Sequence, residues 1–449
     1  VHPEKNVFNC YSSGKAGDVF HFVQEKENLT FMEAVETLAQ RFGVNLEYEA
    51  DGSSPEKRSL RKELLELHDI AAAYFHEAFQ AKNQEGEKIR AYWQDARGFS
   101  LEVASDYRIG FAQTSGNGLF QRLLQHGFSN DALRECGLFY VREHETEVRN
   151  PRARFRGRLM IPIRDVQGRV VAFTARQTDL TPEDDPTREA KYINSPETPL
   201  FSKSQILFNL DRARPHLSED ATVLLVEGQL DAIRCHSVGL NTAVAPQGTA
   251  ITDQQMLLLR RYTSRIDCLL DGDNAGQKAA MRMLPIAFRA GHEVRFLPLP
   301  DKTDPDELFA QQGAGAVERL RQSAIGAMPF ALKRLLPQEN PSPRETSDAL
   351  KQIFVILADC DSAVARTGYL EEIASAGHID RGALDSDFQR FWAQHLQNAR
   401  YDGAKNGQNL PENATNLPEV AAGKLTTVEE TLLWVALNND ALAQVLAEK

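Results

Sequence analysis

The sequence predicts a multidomain α/β and α+β protein. A mostly parallel sheet flanked by helices is preceded by a mixed α+β basic subdomain and followed by a helical subdomain. Three observations carry that prediction. The chain has 449 residues, more than one hydrophobic core accommodates, so roughly two to four domains are expected. Residues 221–300 alternate apolar strand-like runs with helical stretches, the pattern of a parallel sheet covered by helices. Upstream, the segment PRARFRGRLMIPIRD places arginines at a strict two-residue spacing, which is the period of a strand.

Residues 1–20 read as short strands and turns. A helix follows, with Thr30 and Glu33 at capping-box spacing, Met32, Val35, Leu38, Ala39 and Phe42 on one face, and Gly43 to close it. ADGSSPEK, residues 50–57, reads as a hinge. From Ser59 to Leu138 the period is helical, most clearly in LRKELLELHDIAAAYFHEAF. RLMIPIRDVQGRVVAF reads as two strands joined by a turn at Gln167-Gly168. Then come the strands ATVLLVEG, NTAVAP, RIDCLLDGD and HEVRFLPLP, separated by the helices LDAIRCHSVG, TDQQMLLLRRYT and AGQKAAMRMLPIAFRAG. Residues 316–400 are helical again. Residues 402–424 are rich in Asn, Gly and Pro without period, the composition of a linker. VEETLLWVALNNDALAQVL opens a further amphipathic helical unit.

Composition narrows the function classes. Hydrophobic content of 42% and charged content of 25% are those of an ordinary soluble protein. No apolar run reaches membrane-spanning length, so no membrane association is expected. Cys10, Cys136, Cys235, Cys268 and Cys360 are scattered, which argues against a disulfide framework and fits a reducing cytoplasm. The chain opens on the polar VHPEKN rather than Met, so no signal peptide and a fragment or trimmed chain are expected. The net charge of −12 argues against a generally basic nucleic-acid coat but leaves room for a local patch.

Three acidic clusters fall at strand carboxyl ends, where open parallel sheets place their functional crevice. Glu227 ends the first strand. Asp271 and Asp273 end RIDCLLDGD. Asp301, Asp304 and Asp306 follow HEVRFLPLP. Taken singly, each has an ordinary reading. Asp-Gly-Asp is commonly a solvated turn, Glu227 a favourable charge at a helix start, and Asp-Pro-Asp a loop. A calcium loop fails, because Ala275 and Arg282 stand where Asp or Asn and Glu are required. Gathered at one sheet edge, so many carboxylates would repel unless cations lay between them. All-oxygen ligands suit Mg²⁺ or Mn²⁺, and two such ions support transfer of a nucleotidyl group.

Arg152, Arg154, Arg156 and Arg158 are expected on one face of a strand. Arg164, Arg169 and Arg176 follow, then Lys191 and Lys203. Such a stripe suits phosphates of a nucleic acid or of nucleoside triphosphates. The alternative is an edge strand whose charges discourage aggregation.

VEGQLDAI, LLDGDNAG and KTDPDELF resemble the three acidic motifs of the Toprim domain. RFRGRLMIPIRD and KYINSPETPLF resemble the basic motifs that precede Toprim in the bacterial replicative DNA primase of the DnaG type. ARGFSLEVASDYRIGFA and NCYSSGKAGDVFHFVQEKENLTFMEAVETLA resemble it too. The resemblance runs from about residue 2 to about 400. It implies a cytoplasmic DNA-dependent RNA polymerase that makes short RNA primers on single-stranded DNA template from ribonucleoside triphosphates, with Mg²⁺ or Mn²⁺. By the same resemblance Glu227, Asp231, Asp271, Asp273, Asp304 and Asp306 form the acidic site. Asp271, Asp273 and Asp304 are expected in direct metal contact, and Glu227 as a metal ligand or a base. Arg154, Arg156, Arg158, Lys191 and Lys203 would guide template or nucleotide.

Two departures bear on that expectation. The family's zinc ribbon uses a Cys-x2-His pair and a Cys-x2-Cys pair. The chain begins after the place of the first, and at the second it has Cys10 and Ser13. One thiolate does not make a structural zinc site, so zinc binding is doubtful for this chain. The family's helicase-docking bundle is represented only by residues 428–449, which leaves helicase binding uncertain. The expected division is 1–49 zinc-ribbon-like, 58–220 basic subdomain, 221–310 Toprim, 311–401 helical, 402–427 linker and 428–449 the start of a helicase-interaction domain. A monomer is expected. The rival readings are another Toprim enzyme, a topoisomerase or nuclease, and a non-catalytic nucleic-acid-binding relative. The 150 or so residues after the Toprim segment carry Tyr369 and Tyr401 as their only tyrosines, which is little chain for a topoisomerase gate.

Overall fold

A computed structural model describes residues 7–9, 16–27, 31–42, 55–142, 147–248, 250–269, 274–299, 305–336, 341–360 and 362–405. The chain divides into a unit of residues 1–388 and a second of residues 389–449. The described part of the second is the end of the helix Arg381–Lys405. Cys10, Ser13, Thr30, Gly43, Asp271, Asp273, Asp301, Asp304 and the segment 428–449 lie outside the described residues.

The first unit opens with an antiparallel pair, β1 (Val7–Asn9) and β2 (Ala16–Asp18). It is followed by the helices Val19–Glu27 and Phe31–Phe42. Val23, Ala34 and Leu38 share a small core. The long helix Pro55–Gln80 absorbs the end of the expected hinge, because Pro55 can occupy a first helical turn that needs no amide donor. The segment expected to be helical as far as Leu138 contains the strand β3 (Gly110–Ala112), and β4 (Phe139–Tyr140) comes directly after it; both are too short for a two-residue period to register.

β5 (Arg152–Ala153) pairs with β4. β6 (Arg158–Arg164) and β7 (Val170–Gln177) form the expected hairpin, from Arg158 opposite Gln177 to Arg164 opposite Val170. Its turn is closed by Gly168, whose amide donates to the Asp165 carbonyl at 2.9 Å. β8 (Tyr192–Asn194) completes an antiparallel sheet of order β3-β6-β7-β8. Both faces of this sheet are covered. Met160, Ile163 and Phe173 pack with Leu64, Leu67 and Phe75 of the long helix. Leu159 and Ile161 belong to another core with Trp93, Phe99, Leu224, Val226, Ile233 and Phe309. That shared core joins the basic subdomain to the parallel sheet.

β9 (Leu207–Phe208), β10 (Thr222–Val226), β11 (Ala243–Pro246), β12 (Arg265–Leu269), β13 (Glu293–Phe296) and β14 (Ile325–Gly326) form a second sheet of order β14-β13-β12-β10-β11-β9. Its four inner strands are parallel and its two edge strands antiparallel. The edge strands come from segments outside the alternating pattern. At the sheet's centre Asp267 has no solvent exposure. Its carboxylate accepts from Arg295 Nε at 2.9 Å and Arg321 Nε at 2.8 Å, so a buried charge is fully paired. Downstream, the helices Ala327–Leu335, Pro343–Ala358 and Ala363–Gly377 bear out the helical expectation. Among the described residues no helix is long and apolar enough to cross a membrane.

The four-arginine stripe is corrected by these strands. β5 stops at Ala153 and β6 starts at Arg158, so the four side chains do not share one strand face. Gly157, at φ +60°, breaks the extended run; a Cβ there would lie 2.1 Å from the Leu180 carbonyl oxygen. Because both faces of the sheet are covered, Arg158 is buried with 0% exposure.

Candidate active site

The acidic edge begins where β10 ends. Val226 pairs with Leu269 of β12, so Glu227 leaves the sheet at its carboxyl edge. Glu227 is half-buried. Gly228 precedes the helix Gln229–Ser237, and its amide donates to Asp231 Oδ2 at 2.9 Å. This interaction satisfies an amide at the helix start and suits the local dipole. A Cβ on Gly228 would stand 3.0 Å from the same carboxylate oxygen, so glycine permits the close approach.

Asp306 is in the first turn of the helix Pro305–Gln312, which packs on Gln229–Ser237. Its Oδ1 accepts from Arg234 Nε at 2.5 Å. Asp231 and Asp306 both lie near Cys235, whose thiol is pushed up first by burial and then by these two carboxylates. Two of the predicted acidic residues are therefore brought together on one side of the Gln229–Ser237 helix, with Glu227 at its entrance. Asp271, Asp273 and Asp304 lie outside the described residues. Among the described residues no group of three or more metal-ligating side chains forms; the carboxylate oxygens expected at this edge would suit a hard divalent cation.

The basic sheet approaches this edge through β8. Burial raises the Tyr192 hydroxyl above its usual range, and Arg176 opposes the rise. Arg176 donates to the hydroxyls of Tyr192 and, at 2.6 Å, Tyr92. Its guanidinium lies 4.8 Å from the Tyr192 ring centroid. A polar relay runs beside it. Thr174 Oγ1 donates to Asn194 Oδ1 at 2.8 Å, Asn194 Nδ2 to the Gln247 carbonyl at 3.2 Å, and Gln229 Nε2 to Gln247 Oε1 at 3.3 Å. Gln229 is two residues beyond Glu227, so this relay fixes the KYINSP strand against the start of the acidic helix.

The predicted basic residues divide by environment. Lys191 is exposed and Lys203 half-buried; among the described residues neither ammonium forms an ion pair. Arg156 Nη1 donates to Asp184 Oδ2 at 2.9 Å, and Arg154 lies 4.4 Å from the Tyr140 ring centroid. Arg158 is buried and donates to the carbonyls of Ala190 at 2.9 Å and Thr187 at 2.6 Å. It supports the wall that carries Lys191.

Tyr192, Asn194, Gln247 and Arg234 received no site role from the sequence, and Arg176 was expected only as part of the basic stripe. Arg234 and Gln247 had no signal of their own, since their partners are distant in sequence. Tyr192 and Asn194 sit inside KYINSPETPLF, which could have flagged them. A depression of about 580 Å³, lined in part by Thr222, Asn241, Glu318 and Arg321, lies at the amino ends of the parallel strands. That is the edge opposite Glu227, and Arg321 there is committed to Asp267.

Three family models match the chain in order. A CHC2 zinc finger covers residues 1–54, the DNA primase catalytic core N-terminal domain 74–214, and a Toprim-like domain 224–309. The DNA primase of Streptomyces coelicolor is 33% identical over 439 residues, covering 95% of this chain and 65% of that protein. The DNA primase of Enterococcus faecalis is 32% identical over 400 residues, covering 87% and 62%. The chain thus spans slightly under two thirds of these relatives. The structure of the Aquifex aeolicus primase zinc-binding and RNA polymerase domains matches with a TM-score of 0.60 at 29% identity, over 86% of this chain and 88% of that one. A DnaG primase catalytic domain bound to ssDNA matches with a TM-score of 0.61 at 30% identity, over 73% of this chain. Since 99% of that catalytic domain is covered, and the acidic helix and basic sheet singled out from the sequence share one core, the chain belongs to the DnaG-type DNA primase family.

Proposed function

We propose that this chain carries the primer-synthesising part of a primase. It copies single-stranded DNA into a short RNA primer from ribonucleoside triphosphates, as a nucleotidyltransferase. The observation that supports this reading best is the tie between the basic sheet and the acidic helix through the Asn194–Gln247–Gln229 relay. A phosphate backbone held by the first would lie beside the second. The family relationship does not favour the topoisomerase, nuclease or purely binding alternatives.

In this reading Asp271, Asp273 and Asp304 hold Mg²⁺ or Mn²⁺, with Glu227 beside them as a further ligand or a base, and Asp231 and Asp306 complete the acidic set. The bound cations would supply charge stabilisation to the attacking ribose 3′-hydroxyl and the departing pyrophosphate. Lys191, Lys203, Arg154 and Arg156 position phosphates. Arg176 and its two tyrosines brace the wall between the basic and acidic groups. Zinc is not part of the proposal, because Cys10 is followed by Ser13 where a second thiolate would be needed. A monomer acting in the cytoplasm, with residues 428–449 beginning a contact to the replicative helicase, fits the same reading.

The test is synthesis of labelled RNA on single-stranded DNA with Mg²⁺ or Mn²⁺, comparing the chain with Asp271→Ala. RNA from the first and none from the second is expected. No RNA under either metal would overturn the polymerase reading, and full activity in Asp271→Ala would overturn the site assignment.

A further inference from the structure

We propose that Arg234 takes Asp306 out of the cation-binding set, acting as a built-in monovalent counter-charge at the acidic crevice. The inference rests on the reading of that crevice as a divalent-cation site and revises the role of one member. Arg234 Nε lies 2.5 Å from Asp306 Oδ1, with the two side chains only 8% and 19% exposed. The guanidinium cannot swing away. Its Nη1 donates to the Gly98 carbonyl at 3.0 Å and its Nη2 to the Arg97 carbonyl at 2.6 Å. It also lies 3.8 Å from the Phe99 ring centroid, and Phe99 is itself stacked on the buried Trp93.

Arginine stays protonated in proteins, so this positive charge is permanent. A divalent ion on the same carboxylate would meet a fixed cation a few ångströms away in a partly desolvated site, where repulsion is poorly screened. The ion is therefore held by the other carboxylates. Asp306 and Arg234 form a neutral pair that anchors the Pro305–Gln312 helix to the Gln229–Ser237 helix and to residues 97–99. Arg234 is thus a positioning residue that also limits how tightly the crevice binds divalent cations.

Direct Mn²⁺ titration, following free Mn²⁺ by electron paramagnetic resonance, tests this without relying on activity. Arg234→Gln removes the fixed cation beside Asp306, so Mn²⁺ is expected to bind about tenfold more tightly than in the unsubstituted chain. The charge-neutral double substitution Arg234→Gln with Asp306→Asn should bind within about threefold of the unsubstituted chain. Equal or weaker binding by Arg234→Gln overturns the proposal. So does a loss of tenfold or more in the double variant, because Asp306 would then be a ligand despite its partner. If Arg234→Gln does not fold, the double variant, which leaves no unpaired charge, still decides the matter. Asp271→Ala in the same titration separates the two readings: unchanged Mn²⁺ binding there rejects the cation site itself, whereas lost binding there with an unaltered Arg234→Gln rejects only the role of Arg234.

Discussion

Arg158 Nη2 donates to the Thr187 carbonyl at 2.6 Å from a side chain with no solvent exposure. The Asp185 carboxylate, also buried, stands 4.0 Å away. A residue expected on the surface to meet phosphate is thus the internal strut of the 185–190 loop. Arg158→Met leaves the Ala190 and Thr187 carbonyls without their donor and Asp185 without its neighbouring positive charge, and is expected to cost about 3–5 kcal/mol. Arg158→Lys should recover only part of this, since an ammonium lacks the planar fork. Urea midpoints of the two variants check it; a midpoint for Arg158→Met within error of the unsubstituted chain would reject the strut.

Gly157 makes the neighbouring prediction. Its φ of +60° and the 2.1 Å approach of the Leu180 carbonyl to a built Cβ leave no room for a side chain. Gly157→Ala is expected to destabilise the unit by about 2–4 kcal/mol through backbone strain and displacement of the 178–181 turn. The same midpoint measurement applies, and a loss under about 1 kcal/mol would show that the turn gives way easily.

His68 offers a pH signature. Its ring is fully buried, lies parallel to Phe173 at 6.1 Å, and places Nδ1 2.7 Å from the Leu64 carbonyl oxygen. Burial lowers its pKa from 6.5 to about 4. The folded value is below the unfolded one, so the unfolded chain takes up the proton first. Stability from this residue is complete above about pH 6.5 and falls as pH drops toward 4, by at most roughly 3 kcal/mol. His68→Leu should flatten the dependence of the urea midpoint between pH 7 and 4. Parallel curves for the two proteins would contradict a neutral buried imidazole.

Lys191 and Lys203 form no ion pair among the described residues. If each meets one phosphate, Lys191→Ala with Lys203→Ala should lower the slope of log binding constant against log salt for single-stranded DNA by about 1.4. Arg154→Ala with Arg156→Ala should also weaken binding and lower that slope. Fluorescence anisotropy at several salt concentrations measures both pairs; an unchanged slope in both returns the basic segment to a structural role.

Much of this was legible because it depends on neighbours in sequence. The strand core VLLV, residues 223–226, is apolar on both faces, as a covered parallel sheet accommodates. The hairpin at Gln167-Gly168 follows from turn chemistry. Glu227 and Asp231 are set by a strand end and a helix start, both local features. The stripe misled because a two-residue period reports side-chain direction only while the strand continues. Gly157 interrupts it, and the second face of the sheet is covered by a core that includes residues from 93 to 309.

The sequence alone determined the parallel sheet and the resemblance that named the family, since strand periodicity and motif spacing are written in consecutive residues. Tertiary structure decided which charges are available. Arg158 became a buried strut, Arg176 a brace between two tyrosines, and Asp306 the partner of Arg234. The physical reason is that burial and ion pairing are set by groups 72 to 137 positions away, as for Arg234 with Asp306 and Arg97, and no local pattern encodes such a distance.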